Sequence, residues 1–242
     1  MMAHSHACTG LAAGAATLPL APVHGPVATA AWVAAWGGAA LLPDFDQGGI
    51  SWKRALPRPT GSTVAQMWGP LTTTAASLVG RLAGGHRWGT HDPLLAPVLF
   101  GALAWAAALH PVSSLAVLAL VTGAALRGCH FVIPGRVETT VVGNLVLSFA
   151  LAWWVLERHP AGVPWLPWAV AGGVLVHVAG DWLTVGGVPR PLAVPLALLG
   201  GRRRRTALGL FRTGARVEHA VAAVAVALTA VLLARWLLAP LL

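Results

Sequence analysis

The chain has 242 residues, of which 57% are hydrophobic and 10% charged, with a formal net charge of +9 and a mean hydropathy of +0.72. Soluble domains carry about 25% charged residues, so the composition excludes an ordinary soluble protein and points to an integral membrane one. Abundant alanine, glycine and leucine favour helices over a barrel, whose strands would alternate in short segments. The expected fold class is therefore all-α: a polytopic membrane helical bundle, one domain over 1–242.

The opening "MMAHSHACTG" lacks the basic stretch of a signal peptide. Uncharged runs predict seven membrane segments, at roughly 7–22, 27–42, 94–109, 112–127, 140–156, 165–180 and 218–238. "APVHGP", "LHPV" and "RHPAGVP" read as tight turns, because proline and glycine break helices. Between segments two and three lies a polar loop, 44–92. A basic loop, 182–217, precedes the last segment and holds the run Arg202 to Arg205. Cys8 and Cys129 have no metal-type spacing and read as packing residues.

Threading the seven segments puts Lys53, Arg54, Arg58, Arg81, Arg87, Arg127, Arg136, Arg190, Arg202 to Arg205, Arg212 and Arg216 on one side, and only Arg158 and Arg235 on the other. The positive-inside rule makes the first side cytoplasmic. Trp153, Trp154, Trp165, Trp168 and Trp236 then fall near one set of segment ends and Trp182 near the other, as an interfacial belt requires. In a membrane protein such basicity matches cytoplasmic loops against anionic lipid headgroups. The expected partners are thus membrane lipids, with no nucleic acid.

The same threading gathers Asp44, Asp46, Asp92, Glu138, Asp181 and Glu218, six of the seven acids, on the cytoplasmic side. His4, His6, His86, His91, His130, His177 and His219 join them. Ionisable groups at a membrane boundary are costly unless paired or functional. They sit in short islands. "HSHA" supplies His6, and "LLPDFDQGG" projects Asp44 and Asp46 from a proline–glycine turn, where they suit a divalent cation, general-base work or simple turn capping. "HRWGTHDP" supplies His86, Arg87, Thr90 and His91. In "HVAGDWLTVGGVP", His177 and Asp181 are four residues apart on one helical face, so they either satisfy each other or hold something together. Imidazole nitrogens and carboxylate oxygens are ligands that zinc accepts, and manganese or iron as well.

The ordered set His6, Leu-Leu-Pro-Asp44-x-Asp46, His86-Arg87-x-x-Thr90-His91 and His177-x-x-x-Asp181-x-x-Thr184-x-x-Gly187-Val188 resembles the YdjM-like family, as does the later "FRTGARVE" ending at Glu218. That family is described as inner-membrane-associated, LexA-binding, metal-dependent hydrolases. Two positions depart from its pattern: Gln47 stands where the family usually has histidine, and Asp92 where serine is common. The Gln47 change removes a ligand or an orienting donor. A more distant similarity, the His-x-x-x-Asp pair, is to zinc-dependent phospholipases C, which implies a phosphodiester substrate.

The expected function is a membrane-embedded hydrolase using one or two divalent metals, zinc first and manganese next. His6, Asp44, Asp46, His86, His91, His177 and Asp181 are the candidate ligands. Asp46 is the candidate proton acceptor and Arg87 the charge stabiliser. Thr90 and Thr184 orient ligands, and Glu218 closes the site from the last helix or pairs with Arg212 or Arg216. The substrate is a phosphoester or lipid-linked molecule at the cytoplasmic face of the inner membrane. Two other classes compete. A proton- or ion-coupled transporter would need polar groups midway along its helices, for which Asn144 is nearly the only candidate. A scaffold would hold a purely structural metal.

Overall fold

The computed structural model describes residues 1–47, 64–129, 140–200 and 204–238. Lys53, Arg54, Arg58, His130, Arg136, Glu138, Arg202 and Arg203 lie outside the described residues. Each of the seven predicted segments becomes a helix: α1 (Ala3–Ala16), α2 (Gly25–Ala39), α4 (Leu95–Ala108), α5 (Pro111–Cys129), α6 (Val141–Arg158), α7 (Leu166–Leu183) and α9 (Arg216–Leu238). The stretch 44–92 is more than a loop: it contains α3 (Pro70–Leu82). Within 182–217, a short α8 (Ala193–Leu198) sits between β1 (Val188–Pro189) and β2 (Arg205–Thr206), which pair antiparallel with Val188 opposite Thr206.

Five helical runs are long and apolar enough to cross a membrane: Gly25–Gln47, α5, α6, α7 and α9. At 14 residues each, α1 and α4 reach only about 21 Å, short of the ~30 Å hydrocarbon core. The first segment also starts earlier than the apolar run suggested. Ser5 and His6 lie inside α1 and are fully buried, so "HSHA" belongs to the helix and is not a frayed approach to it.

The bundle is organised around α2 and α7. α2 packs on α1, α5 and α7, and α7 also meets α4 and α1. Small residues allow this close approach. A Cβ on Gly173 of α7 would come within 2.6 Å of the Trp36 carbonyl oxygen, and one on Gly38 of α2 within 1.7 Å of the Val121 carbonyl oxygen, so both positions require glycine. Outward faces are apolar instead: Val224, Leu228 and Val231 on α9 and Val142 and Val146 on α6 are exposed, as suits contact with lipid tails. Trp153, Trp154, Trp168 and Trp182 are exposed as an interfacial belt requires. Trp165 is not: it is buried, edge-on to Trp32 at 6.2 Å between ring centroids, because it opens α7 on the side facing α2.

Candidate metal centre

Local geometry decides which side chains meet. Leu42–Gln47, at the end of α2, forms a 3₁₀ turn. At about three residues per turn, Leu42 and Phe45 share one face, Asp44 and Gln47 a second, and Pro43 and Asp46 the third. A second 3₁₀ turn, Gly89–His91, presents Thr90 and His91. The last turns of α7 present His177 and Asp181 from one face, and α1 brings in His6.

His177 fixes its own tautomer. Its Nδ1 is 2.7 Å from the Ala40 carbonyl oxygen, which can only accept, so Nδ1 carries the proton and Nε2 the lone pair. That lone pair faces His91 Nε2 at 3.1 Å, Asp44 Oδ1 at 3.9 Å and Asp181 Oδ2 at 3.9 Å. His91 Nε2 is 3.8 Å from the same Asp44 oxygen and 3.6 Å from the same Asp181 oxygen. His177 and Asp181 therefore do not hydrogen-bond to each other; both point to a common centre. Five edges of a four-atom figure measure 3.1–3.9 Å. Four ligands about 2.0–2.2 Å from a tetrahedral cation would have edges of about 3.3–3.6 Å. The residues present fit a divalent metal, and two imidazoles with two carboxylates suit zinc, manganese or iron.

The seven predicted ligands fall into two neighbouring groups. Ligand atoms of Asp44, Asp46, His86 and His91 lie within 4.8 Å of one another, and so do those of His6, His177 and Asp181. His6 stacks on His177 with centroids 3.7 Å apart. It is fully buried, and among the described residues neither ring nitrogen has a hydrogen bond of good geometry, although Nε2 lies 3.3 Å from Asp181 Oδ1. Orphaned nitrogens of this kind are a further mark of a ligand position.

Asp46 is differently placed. Oδ2 accepts from Thr90 Oγ1 at 2.5 Å and from the Arg87 backbone N–H at 3.0 Å, and it lies 3.1 Å from His91 Nδ1. Oδ1 lies 2.6 Å from His86 Nδ1. Asp46 thus holds two imidazoles by their Nδ1 atoms and turns His91 Nε2 toward the centre, the arrangement by which carboxylates orient metal-ligating histidines. Burial alone would lower the His91 pKa, but the carboxylates of Asp44 and Asp46 outweigh it and hold it up at about 9.

Arg87 has a left-handed backbone, φ 57°, a strain of order 1–3 kcal/mol for a non-glycine residue. That conformation aims its N–H at Asp46 while Nη2 reaches Asp181 Oδ1 at 2.9 Å and Nη1 lies 3.5 Å from Thr184 Oγ1. Thr184 donates to the Asp181 carbonyl at 2.7 Å and ends α7. Glu218 is buried and accepts from the Gly214 N–H at 2.6 Å and from the Met2 N–H. It fastens the start of α9 to α1.

The two departures from the family pattern now have a physical account. Gln47 Nε2 donates to Asp44 Oδ1 at 2.6 Å, so it supplies an orienting donor. Asp92 Oδ1 accepts from the Leu94 and Leu95 N–H groups at the start of α4, and Oδ2 from Ala193 N–H at the start of α8; it joins two segments that a serine could not serve equally. Two features escaped the sequence reading: the Met1 terminal ammonium, which pairs with Asp181 Oδ1, and Gly186. A Cβ on Gly186 would lie 1.9 Å from Arg87 Nη1, so this glycine leaves room for the guanidinium. The doubled glycine in "TVGGVP" was its signal. Gly187 has a separate reason, φ 61° and a Cβ position 2.5 Å from the Thr206 carbonyl.

Asn144 is no midway polar group. It lies in the first turn of α6, accepts from Trp68 Nε1 at 2.9 Å and donates to the Gly123 carbonyl at 3.0 Å. It pins the 64–69 segment to α5 and α6.

A family model described as YdjM inner membrane protein matches residues 1–133, and the chain belongs to that family and is a membrane protein. His177, Asp181, Thr184 and Glu218 lie beyond the matched residues. No curated protein and no solved structure matches the chain.

Proposed function

We propose that this inner membrane protein is a metal-dependent hydrolase acting on a phosphoester at the cytoplasmic face. One observation carries the reading: the Nε2 atoms of His91 and His177 and oxygens of Asp44 and Asp181, drawn from three chain segments, lie 3.1–3.9 Å apart, close to the edges of a tetrahedral divalent site. Zinc is the first choice of metal and manganese the second. A cation held by these residues would supply Lewis acidity, and would activate a water if one of the four protein ligands stood aside or the metal expanded to five-coordination.

The remaining residues divide the work. Arg87, 14% exposed, stands between Asp181 and the solvent side, where its charge can meet a phosphoryl oxygen. The His86 ring is 41% exposed while its Nδ1 is held by Asp46. The Asp46–His86 pair is the route by which the nucleophile's proton leaves: His86 accepts it at its other nitrogen and Asp46 steadies the imidazolium. Thr90 fixes Asp46, and Thr184 fixes the end of α7. The basic loops support a cytoplasmic placement of the site.

The test is the metal content of the detergent-purified full chain beside His177→Ala and Asp181→Ala, followed by turnover of chromogenic phosphodiesters. Near-stoichiometric zinc or manganese in the parent, lost in both variants, together with metal-dependent turnover, is the expected result. A parent that takes up neither ion refutes the proposal, and metal without turnover leaves a structural centre.

A further inference from the structure

The 3₁₀ turn that carries Asp44 has a second face, and that face is not idle. Leu42 and Phe45 wall a groove of about 450 Å³ whose other sides come from Trp68, from Val170 of α7 and from α3, α4 and α5, including Leu71, Phe100, Leu103 and Leu120. Its volume is within the range of about 300–1,000 Å³ typical of small-molecule sites. Thr72 is the one hydroxyl among its lining residues. That oxygen is already engaged, accepting from the Trp68 N–H at 3.0 Å and lying 3.4 Å from the Gly69 carbonyl oxygen. The lining therefore offers hydrocarbon contact and no free polar partner, so only an apolar chain gains by entering.

The groove opens toward lipid. α3 turns Thr72, Ala76, Ser77 and Gly80 inward and leaves Leu71, Leu78 and Leu82 exposed. Leu103 of α4 and Ala116 of α5, across the mouth, are exposed as well. A helix that buries its small and polar residues and presents leucines outward is arranged for a lipid surround.

We propose that this groove is the tail site for a membrane lipid, and that the hydrolase's substrate is an anionic lipid with one acyl chain in the groove and its phosphate head at Arg87 and the metal centre. The assignment of the occupant as substrate rests on the hydrolase reading above; the tail site itself does not. A single turn sets the geometry. Residues three apart on a 3₁₀ helix eclipse, so Leu42 and Phe45 touch the tail while Asp44, on the adjacent face, addresses the head. Arg87, paired with Asp181, supplies the positive charge that a phosphate requires.

The experiment is photolabelling of the full chain in detergent with a phosphatidate bearing a diazirine at the end of one acyl chain, mapped by peptide mass spectrometry, with metal content measured on the same preparation. Label concentrated on α3, α4 and α5 at the groove is expected, and it should fall in Ala75→Trp and again in Ala116→Trp. Both alanines are exposed at the mouth, so tryptophan plugs the groove without entering the core. Unlabelled phosphatidate should compete better than diacylglycerol, and Arg87→Ala should erase that preference. Label spread evenly over α6 and α9, or indifferent to both plugs, overturns the tail site. Equal competition by the two lipids overturns the head assignment. Groove label on protein that takes up no metal sinks the hydrolase reading and keeps the tail site, while metal-loaded protein without groove label does the reverse.

Discussion

Asp46→Asn separates a residue that orients a ligand from one that is a ligand. Asp46 meets His91 through Nδ1 at 3.1 Å, while the His91 nitrogen aimed at the centre is Nε2. Both Asp46 oxygens are already occupied, by Thr90, the Arg87 N–H and His86. Asparagine keeps the shape and one acceptor but loses the charge, so His91 becomes a weaker, less well-aimed donor. Loss of such an orienting carboxylate lowers metal affinity by about 10–100-fold, or roughly 1.4–2.7 kcal/mol. His91→Ala removes a vertex of the tetrahedron and should end stoichiometric binding. The assay is chelator competition, with zinc counted by mass spectrometry, on parent, Asp46→Asn and His91→Ala. Asp46→Asn as empty as His91→Ala would mean that Asp46 is itself a ligand. Asp46→Asn indistinguishable from the parent would mean that the His91–Asp46 contact does nothing for the metal.

The remaining predictions concern pH, the glycine beside Arg87 and the buried asparagine. In the metal-free protein the carboxylates of Asp44 and Asp46 hold the His91 pKa up at about 9, above the ordinary imidazole value of 6.5. A cation must displace that proton, so apparent affinity should rise about tenfold per pH unit up to the folded pKa and then flatten; a flat profile in chelator competition would refute this. By the same sign, metal-free protein should hold this contribution to stability below pH 6.5 and lose it as pH climbs toward 9, visible as a falling melting temperature that metal abolishes. Gly186→Ala sets a Cβ against Arg87 Nη1 and should cut turnover by up to about 10²-fold through misplacement, with metal content unchanged. Asn144→Leu strands Trp68 Nε1 and removes the second donor to the Gly123 carbonyl, which keeps its bond within α5; it should cost about 1–3 kcal/mol for the unpaired indole, seen in thermal unfolding, with no change in metal binding.

The bundle was legible because a membrane imposes long apolar runs, and each of the seven runs became a helix. The ends were less so. Hydropathy alone could not show that α1 starts at Ala3, since His6, which lowers the local hydropathy, is buried by tertiary contact with His177 and Asp181. The polar composition of 44–92 concealed α3, whose inward face is threonine, serine and glycine. Residue type pointed to the side chains that come together: His6, His177 and Asp181 form one group and Asp44, Asp46, His86 and His91 another. It did not show their division of labour. Nothing in "PDFDQ" distinguishes the aspartate that faces His177 from the one that grips His91; the three-residue turn does, by sending Asp44 and Asp46 to adjacent faces. Arg87 was legible as a cation near acids, but its left-handed backbone and its dependence on Gly186, about a hundred residues away, emerge only when α7 and the 84–92 segment are brought together.

Charge pairing shows why the centre holds together as an assembly. Asp44, Asp46 and Asp181 bring three negative charges into a volume where each is nearly inaccessible to water. Leaving such charges uncompensated costs several kcal/mol per ion. Arg87 and the Met1 terminal ammonium both pair with Asp181. Without metal, the protonated His91 faces Asp44 and Asp46, and this is the physical meaning of its raised pKa. A divalent cation that displaces the His91 proton would take over that role with one further positive charge. Acids and histidines from four helix ends are tolerated at a membrane boundary because they compensate one another, and no member can be removed without exposing the rest.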